Sequence, residues 1–171
     1  MRRALFLVPL LSVMTACNLP IATVPLPDLS VNLPVTLSLP ITVTTPVIYS
    51  AKNLLAGQSG IPGLVNSVGV QGTAEYVGAR PIQTLDIYVR QNLTGCFIVS
   101  EFAYCGLNEA PQFLGSVSFA SGKSTTFTFG NTALLKAAQA GQVYLGVQVT
   151  GSGFNAGDQL KFTNLTAIAR L

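Results

Sequence analysis

Between Val31 and Val43 every odd residue is apolar (Val31, Leu33, Val35, Leu37, Leu39, Ile41, Val43), and every even one is Asn, Thr, Ser or Pro. Side chains on a strand alternate between two faces. Seven apolar residues out of seven on a period of two therefore specify a β-strand with one buried face, not a helix. Two prolines, Pro34 and Pro40, sit inside the pattern and remove backbone donors. Both are even-numbered. Alternate amides point to the same side of a strand, so both missing donors fall on one side, and an edge strand leaves one side unpaired. The spacing predicts a long edge strand over 31–44.

The same alternation recurs along the chain. It runs over 67–77 (Val68, Val70, Ala74, Tyr76) and over 82–90, where Leu85, Ile87 and Val89 oppose Asp86, Tyr88 and Arg90. It returns over 97–104, 113–119, 124–129, 142–150 and 160–171. In the last run the phase slips at Asn164, since Leu160 and Phe162 are followed by Leu165. One extra residue in a strand produces that slip, so a bulge is expected there. Glycine-bearing turns at 57–63, 106–108, 121–122 and 151–157 separate the runs. One segment, 133–140, has helical composition, with Asn131 or Thr132 to cap it and Gly141 to end it. A second short helical turn is expected near 51–55. The fold class that follows is all-β: an antiparallel two-sheet sandwich of about eight strands with one short helix near 132–140. A partly open β-barrel is the alternative.

Six of the ten prolines lie between residues 19 and 46. Proline at that density reads as an extended tether over 17–30, ahead of a single β domain over 31–171. The tether carries Ile21, Val24, Leu26 and Leu29. Whether these pack on the domain or elsewhere is left open by the sequence.

Charged residues make up 9% of the chain, against roughly 25% for an ordinary soluble domain. No apolar run approaches the ~18 residues of a membrane-spanning helix. The surface polarity must come from Ser, Thr, Asn, Gln and Gly, which suits an exported β protein. There is no histidine, so the commonest general base and metal ligand is missing. No Walker A, G-x-S-x-G or dinucleotide-binding motif occurs. The basic residues are scattered and form no stripe that would neutralise phosphates, so nucleic acid is not an expected partner. No cofactor and no metal site is expected, and the chain reads as not an enzyme. Six carboxylates (Asp28, Glu75, Asp86, Glu101, Glu109, Asp158) leave a carboxylate-based hydrolase as a distant alternative.

The first residues form a three-part address: Arg2 and Arg3, an apolar stretch over 4–14, and small Thr15 and Ala16 before Cys17. This resembles the signal peptide and lipobox of bacterial lipoproteins over residues 1–17, with Met14 where that family usually has leucine. The resemblance implies cleavage before Cys17, a diacylglycerol thioether on Cys17, and often acylation of the new amino terminus. Two or three acyl chains anchor a protein stably, at ~0.8 kcal/mol per buried CH₂. Asn18, in place of the aspartate that favours inner-membrane retention in enteric bacteria, permits an outer-membrane or cell-surface location.

With Cys17 set aside, Cys96 and Cys105 remain, an even count that in an exported chain reads as a disulfide. The C-x₈-C spacing is not that of a C-x-x-C redox pair, and zinc would need further ligands. The stapled loop carries Phe97, Phe102 and Tyr104, a candidate contact surface; the alternative is that the rings fill the core. Tyr88 and Arg90, on the polar face of their strand, form a second candidate. The expected function is a non-catalytic lipid-anchored cell-envelope protein, a structural or interaction module holding another envelope protein or surface layer. A binding module for a small apolar or carbohydrate ligand between the sheets is the alternative.

Overall fold

The computed structural model describes residues 20–32, 46–57, 61, 63–78, 84–106, 108–119, 124–150 and 157–171. Among these residues eleven strands form two antiparallel sheets, a sandwich and not a closed barrel. The five-stranded sheet contains β1 (Pro20–Pro25), β2 (Leu29–Asn32), β4 (Ser67–Val77), β9 (Ser124–Phe129) and β11 (Gln159–Arg170). Its order is β1-β11-β4-β9, with β2 also on β11. The six-stranded sheet contains β3 (Val47–Ser50), β5 (Thr84–Arg90), β6 (Phe97–Val99), β7 (Phe102–Cys105), β8 (Phe113–Ser118) and β10 (Tyr144–Thr150). Its order is β6-β7-β3-β10-β5-β8.

Alternation sorts the side chains as expected. From the first sheet Val68, Val70, Ala74, Tyr76, Leu160 and Phe162 point inward; from the second, Leu85, Ile87, Val89, Leu145 and Val147 meet them in one buried core. Asn164 takes a left-handed backbone (φ 54), and the β4–β11 register shifts between Thr163 and Thr166. This is the bulge read from the phase slip. Its consequence is that Leu165 and Ala169, not their even neighbours, continue the buried face.

The tether expected over 17–30 is not free where it is described. β1 pairs with the second half of β11 (Thr23↔Ile168, Pro25↔Thr166), and β2 pairs with the first half (Leu29↔Phe162, Val31↔Leu160). The two form one interrupted edge strand whose break, 26–28, lies beside the β11 bulge. The Leu26 amide donates to the Leu165 carbonyl (2.8 Å), and the Asn164 amide donates to Asp28 Oδ1 (3.0 Å). The domain boundary drawn at 30/31 thus falls inside β2. Prolines did not prevent pairing because an edge strand is bonded on one side only. The edge strand expected over 31–44 is described only to Asn32; the rest lies outside the described residues.

The helix α1 (Thr132–Gln139) closes one end of the sandwich. The Asn131 side chain caps it, accepting from the Leu134 amide (3.0 Å), and Leu134, Ala137 and Ala138 are buried. Gly141 leaves it with φ 69, a conformation that suits glycine. The helical turn expected near 51–55 is instead a turn over 54–57. Asn53 pins it, accepting from the Leu55 and Val143 amides and donating to the Gly141 carbonyl.

A candidate site on the outer face of the six-stranded sheet

Tyr49, Tyr88, Arg90 and Gly146 have the parity that points away from the core. On an open sheet they would face water. Here the connections from β5 to β6 and from β7 to β8 link strands on opposite sides of the sheet, and their described residues 91–96 and 108–112 lie over this face. Leu93 packs on a second small cluster of Val47, Tyr49, Tyr88, Ala103 and Cys105. Tyr49 is fully buried. Gly146 is the direct neighbour of both tyrosines, Tyr49 on one side and Tyr88 on the other. Any Cβ at Gly146 would come within 2.5 Å of the Tyr49 ring, so the missing side chain is what lets the ring lie flat on the sheet.

Polar groups under the loops satisfy one another. The Tyr49 hydroxyl donates to Glu109 Oε2 (2.7 Å), and Arg90 Nε stands 3.5 Å from the same oxygen. The guanidinium lies 5.8 Å from the centre of the Tyr49 ring, a cation–π distance. Its Nη1 also contacts the Sγ atoms of Cys96 and Cys105. Burial, then the Glu109 carboxylate, push the Tyr49 hydroxyl far above its ordinary pKa, so it stays protonated and donates. Tyr88 donates to Gln148 Oε1 (2.9 Å) and packs edge-on against Phe113. Burial raises its pKa too, with the Asp86 and Glu109 charges adding to the effect.

The disulfide joins Cys96 to Cys105 with Cα atoms 4.5 Å apart, the separation of directly opposed residues in a non-hydrogen-bonded antiparallel pair. The β6–β7 hairpin turns through Ser100, whose φ is 54. Phe97 stands directly opposite Tyr104, so the three aromatic residues of this loop project from one face of the hairpin but differ in burial. Phe97 is exposed, beside exposed Ile98, whereas Phe102 is half-buried against the main core and Tyr104 is buried within the protein. Successive ring positions 102 and 104 share the inward face of β7. The Tyr88–Arg90 candidate likewise differs from its expectation: Tyr88 is buried, and Arg90 is held by Glu109 and the disulfide sulfurs, so neither offers a stacking face for a sugar. Parity identified the outer face, but it carries no information on what covers it. Tyr49 and Glu109 were missed; the available signal was Gly146, a lone glycine inside an alternating strand.

Two further features bear on chemistry. Tyr76 donates to Asp158 Oδ2 (2.6 Å) in a buried pair at the end of the sandwich away from α1, and burial, then that carboxylate, push the Tyr76 hydroxyl up to about 12. Between the sheets, the space enclosed by Val31, Ile48, Val70, Ile87, Phe127, Leu145, Val147 and Phe162 is about 10 Å³, roughly one water. Among the described residues that space has no room for the small ligand that the alternative reading puts between the sheets. No group of three or more His, Cys, Asp or Glu side chains arranged to hold a metal occurs among the described residues. Comparison of the chain with protein-family models, curated proteins and solved structures finds no match.

Proposed function

We propose that this chain is a non-catalytic, lipid-anchored domain of a bacterial cell envelope, a structural or interaction module exported and attached through Cys17. The observation that carries the reading is the address itself: Arg2 and Arg3, the apolar stretch, Thr15-Ala16 and then Cys17, unpartnered because Cys96 and Cys105 are joined to each other. A disulfide of this kind suits an oxidising, extracytoplasmic compartment. The groups on the outer face with the greatest capacity for chemistry, Glu109, Arg90 and Tyr49, are engaged with one another, which suits a scaffold. The partner is another envelope protein or surface layer.

The test is acylation in cells. The full-length protein and Cys17→Ser are expressed in a Gram-negative host with a labelled fatty acid and fractionated. Label and firm membrane association are expected in the first and absent from the second. Equal membrane association with no label in either form would refute the anchor.

A further inference from the structure

The register of β1 fixes where an anchor at Cys17 must sit. Only Asn18 and Leu19 separate Cys17 from Pro20, and Pro20 is already in the sheet, opposite Arg170. Three residue steps span at most roughly 11 Å. A lipid on Cys17 therefore cannot hold the domain at a distance. It holds one particular rim of the sandwich against the bilayer.

That rim has the composition of a membrane-contacting surface. Arg170 pairs with Pro20 on one side and Ser67 on the other, and its carbonyl accepts from the Asn66 amide (2.9 Å). Two strand spacings put Pro20 and Ser67 about 10 Å apart. Leu64, three residues ahead of Ser67, is 79% exposed, and Leu171, directly after Arg170, is 45% exposed. Leu64 is the most exposed of the large apolar residues among those described. Arg170, whose guanidinium stands by Gly69 near the start of β4, is a cation on a long stem of the type that reaches the headgroup level while its methylenes cover apolar surface. The carboxylates of Glu75 and Asp158 are at the far ends of β4 and β11.

We propose that this rim, carrying Pro20, Leu64, Arg170 and Leu171, docks on the surface of the lipid bilayer that holds Cys17. The inference rests on the lipidation of Cys17 proposed above. It adds an orientation: β4 and β11 stand away from the membrane, and the end bearing Val77 and Asp158 is the distal, partner-facing end. Eleven residues of β4 place Val77 ~33 Å from Ser67.

The chain contains no tryptophan, so each introduced tryptophan is a unique reporter. Full-length Leu64→Trp, Leu171→Trp and Val77→Trp, produced with their native signal, are reconstituted in vesicles of phosphatidylethanolamine and phosphatidylglycerol with or without brominated acyl chains. Flotation and intact mass report whether Cys17 carries lipid. Emission at 64 and 171 should fall by roughly half on brominated vesicles and shift to the blue, because residues docked ~5–10 Å into the headgroup–acyl boundary lie near the bromines. Emission at 77 should be unchanged. Lipidated protein that floats but is unquenched at 64 and 171, or is quenched equally at 77, overturns the orientation and leaves the anchor intact. Protein whose mass shows no lipid on Cys17 overturns both.

Discussion

The edge made by β1 and β2 is long, proline-bearing and held only by noncovalent contacts. The edge made by β6, on the other sheet, is three residues long and closed by a disulfide to the neighbouring strand. Both positions invite unwanted pairing, since an edge strand exposes free amides and carbonyls. The first edge limits it with Pro20 and Pro25 and with the break at 26–28. The second limits it by being too short to template a partner. The difference matters because the first edge leads directly to Cys17. A segment that reads as an extended tether is part of the fold where it is described, and the stretch of chain from Cys17 to the first paired residue spans at most about 11 Å over three residues, against ~45 Å for fourteen.

The stapled edge should depend most on a single bond. Replacing both cysteines, Cys96→Ala with Cys105→Ala, should lower stability by about 2.5–3 kcal/mol in urea unfolding, the chain-entropy value for so short a ring. A loss near zero would mean that the outer-face cluster alone holds the hairpin. Glu109→Ala should cost about 2 kcal/mol, because the buried Tyr49 hydroxyl and the largely buried Arg90 guanidinium both lose their acceptor. Glu109→Gln, which keeps an acceptor, should cost less. At the proline edge the effects are individually smaller. Asp28→Ala removes the acceptor for the Asn164 amide at the bulge and should cost about 1 kcal/mol. A free tether would lose nothing.

The two sheets should also respond together to alkali. The Tyr76 hydroxyl titrates near 12 in the folded protein against 10.0 when free, and Tyr49 is raised in the same direction. A raised folded pKa means that the unfolded chain loses its proton first. The stabilisation is therefore complete below about pH 10 and is lost as pH rises through the folded values. Unfolding midpoints in urea should be level from pH 8 to about 9.5 and then decline. Phenolate absorbance should show Tyr49 and Tyr76 titrating late, in step with unfolding.

Much of the fold is legible in the residues because alternation maps directly onto a sheet with one buried face. β4 was expected over its full length, and β5, β8, β9, β10 and β11 to within two residues. The Asn131 cap, the bulge at Asn164 and the cysteine pair were equally readable, each depending on local chemistry. What escaped depends on contacts distant in sequence. Prolines at 20, 25 and 27 argue against a strand until β11 supplies a one-sided partner. The run over 97–104 is split by Ser100 into two strands, a backbone choice that no hydrophobic pattern records. The outer-face cluster was half visible: Tyr88 and Arg90 were placed on the correct face, but their burial depends on where the loops cross.

Hydrogen–deuterium exchange of the β1–β2 amides tests most directly whether the segment behind Cys17 is strand or leash. The amides of β1 and β2 that face β11, Leu26 above all, are expected to exchange roughly a hundredfold or more slower than a free chain, in step with their partners in β11, while the outward-facing amides stay fast. Exchange at the free-chain rate, with β11 still protected, would show that residues 20–32 are a tether after all and would remove the short-leash geometry.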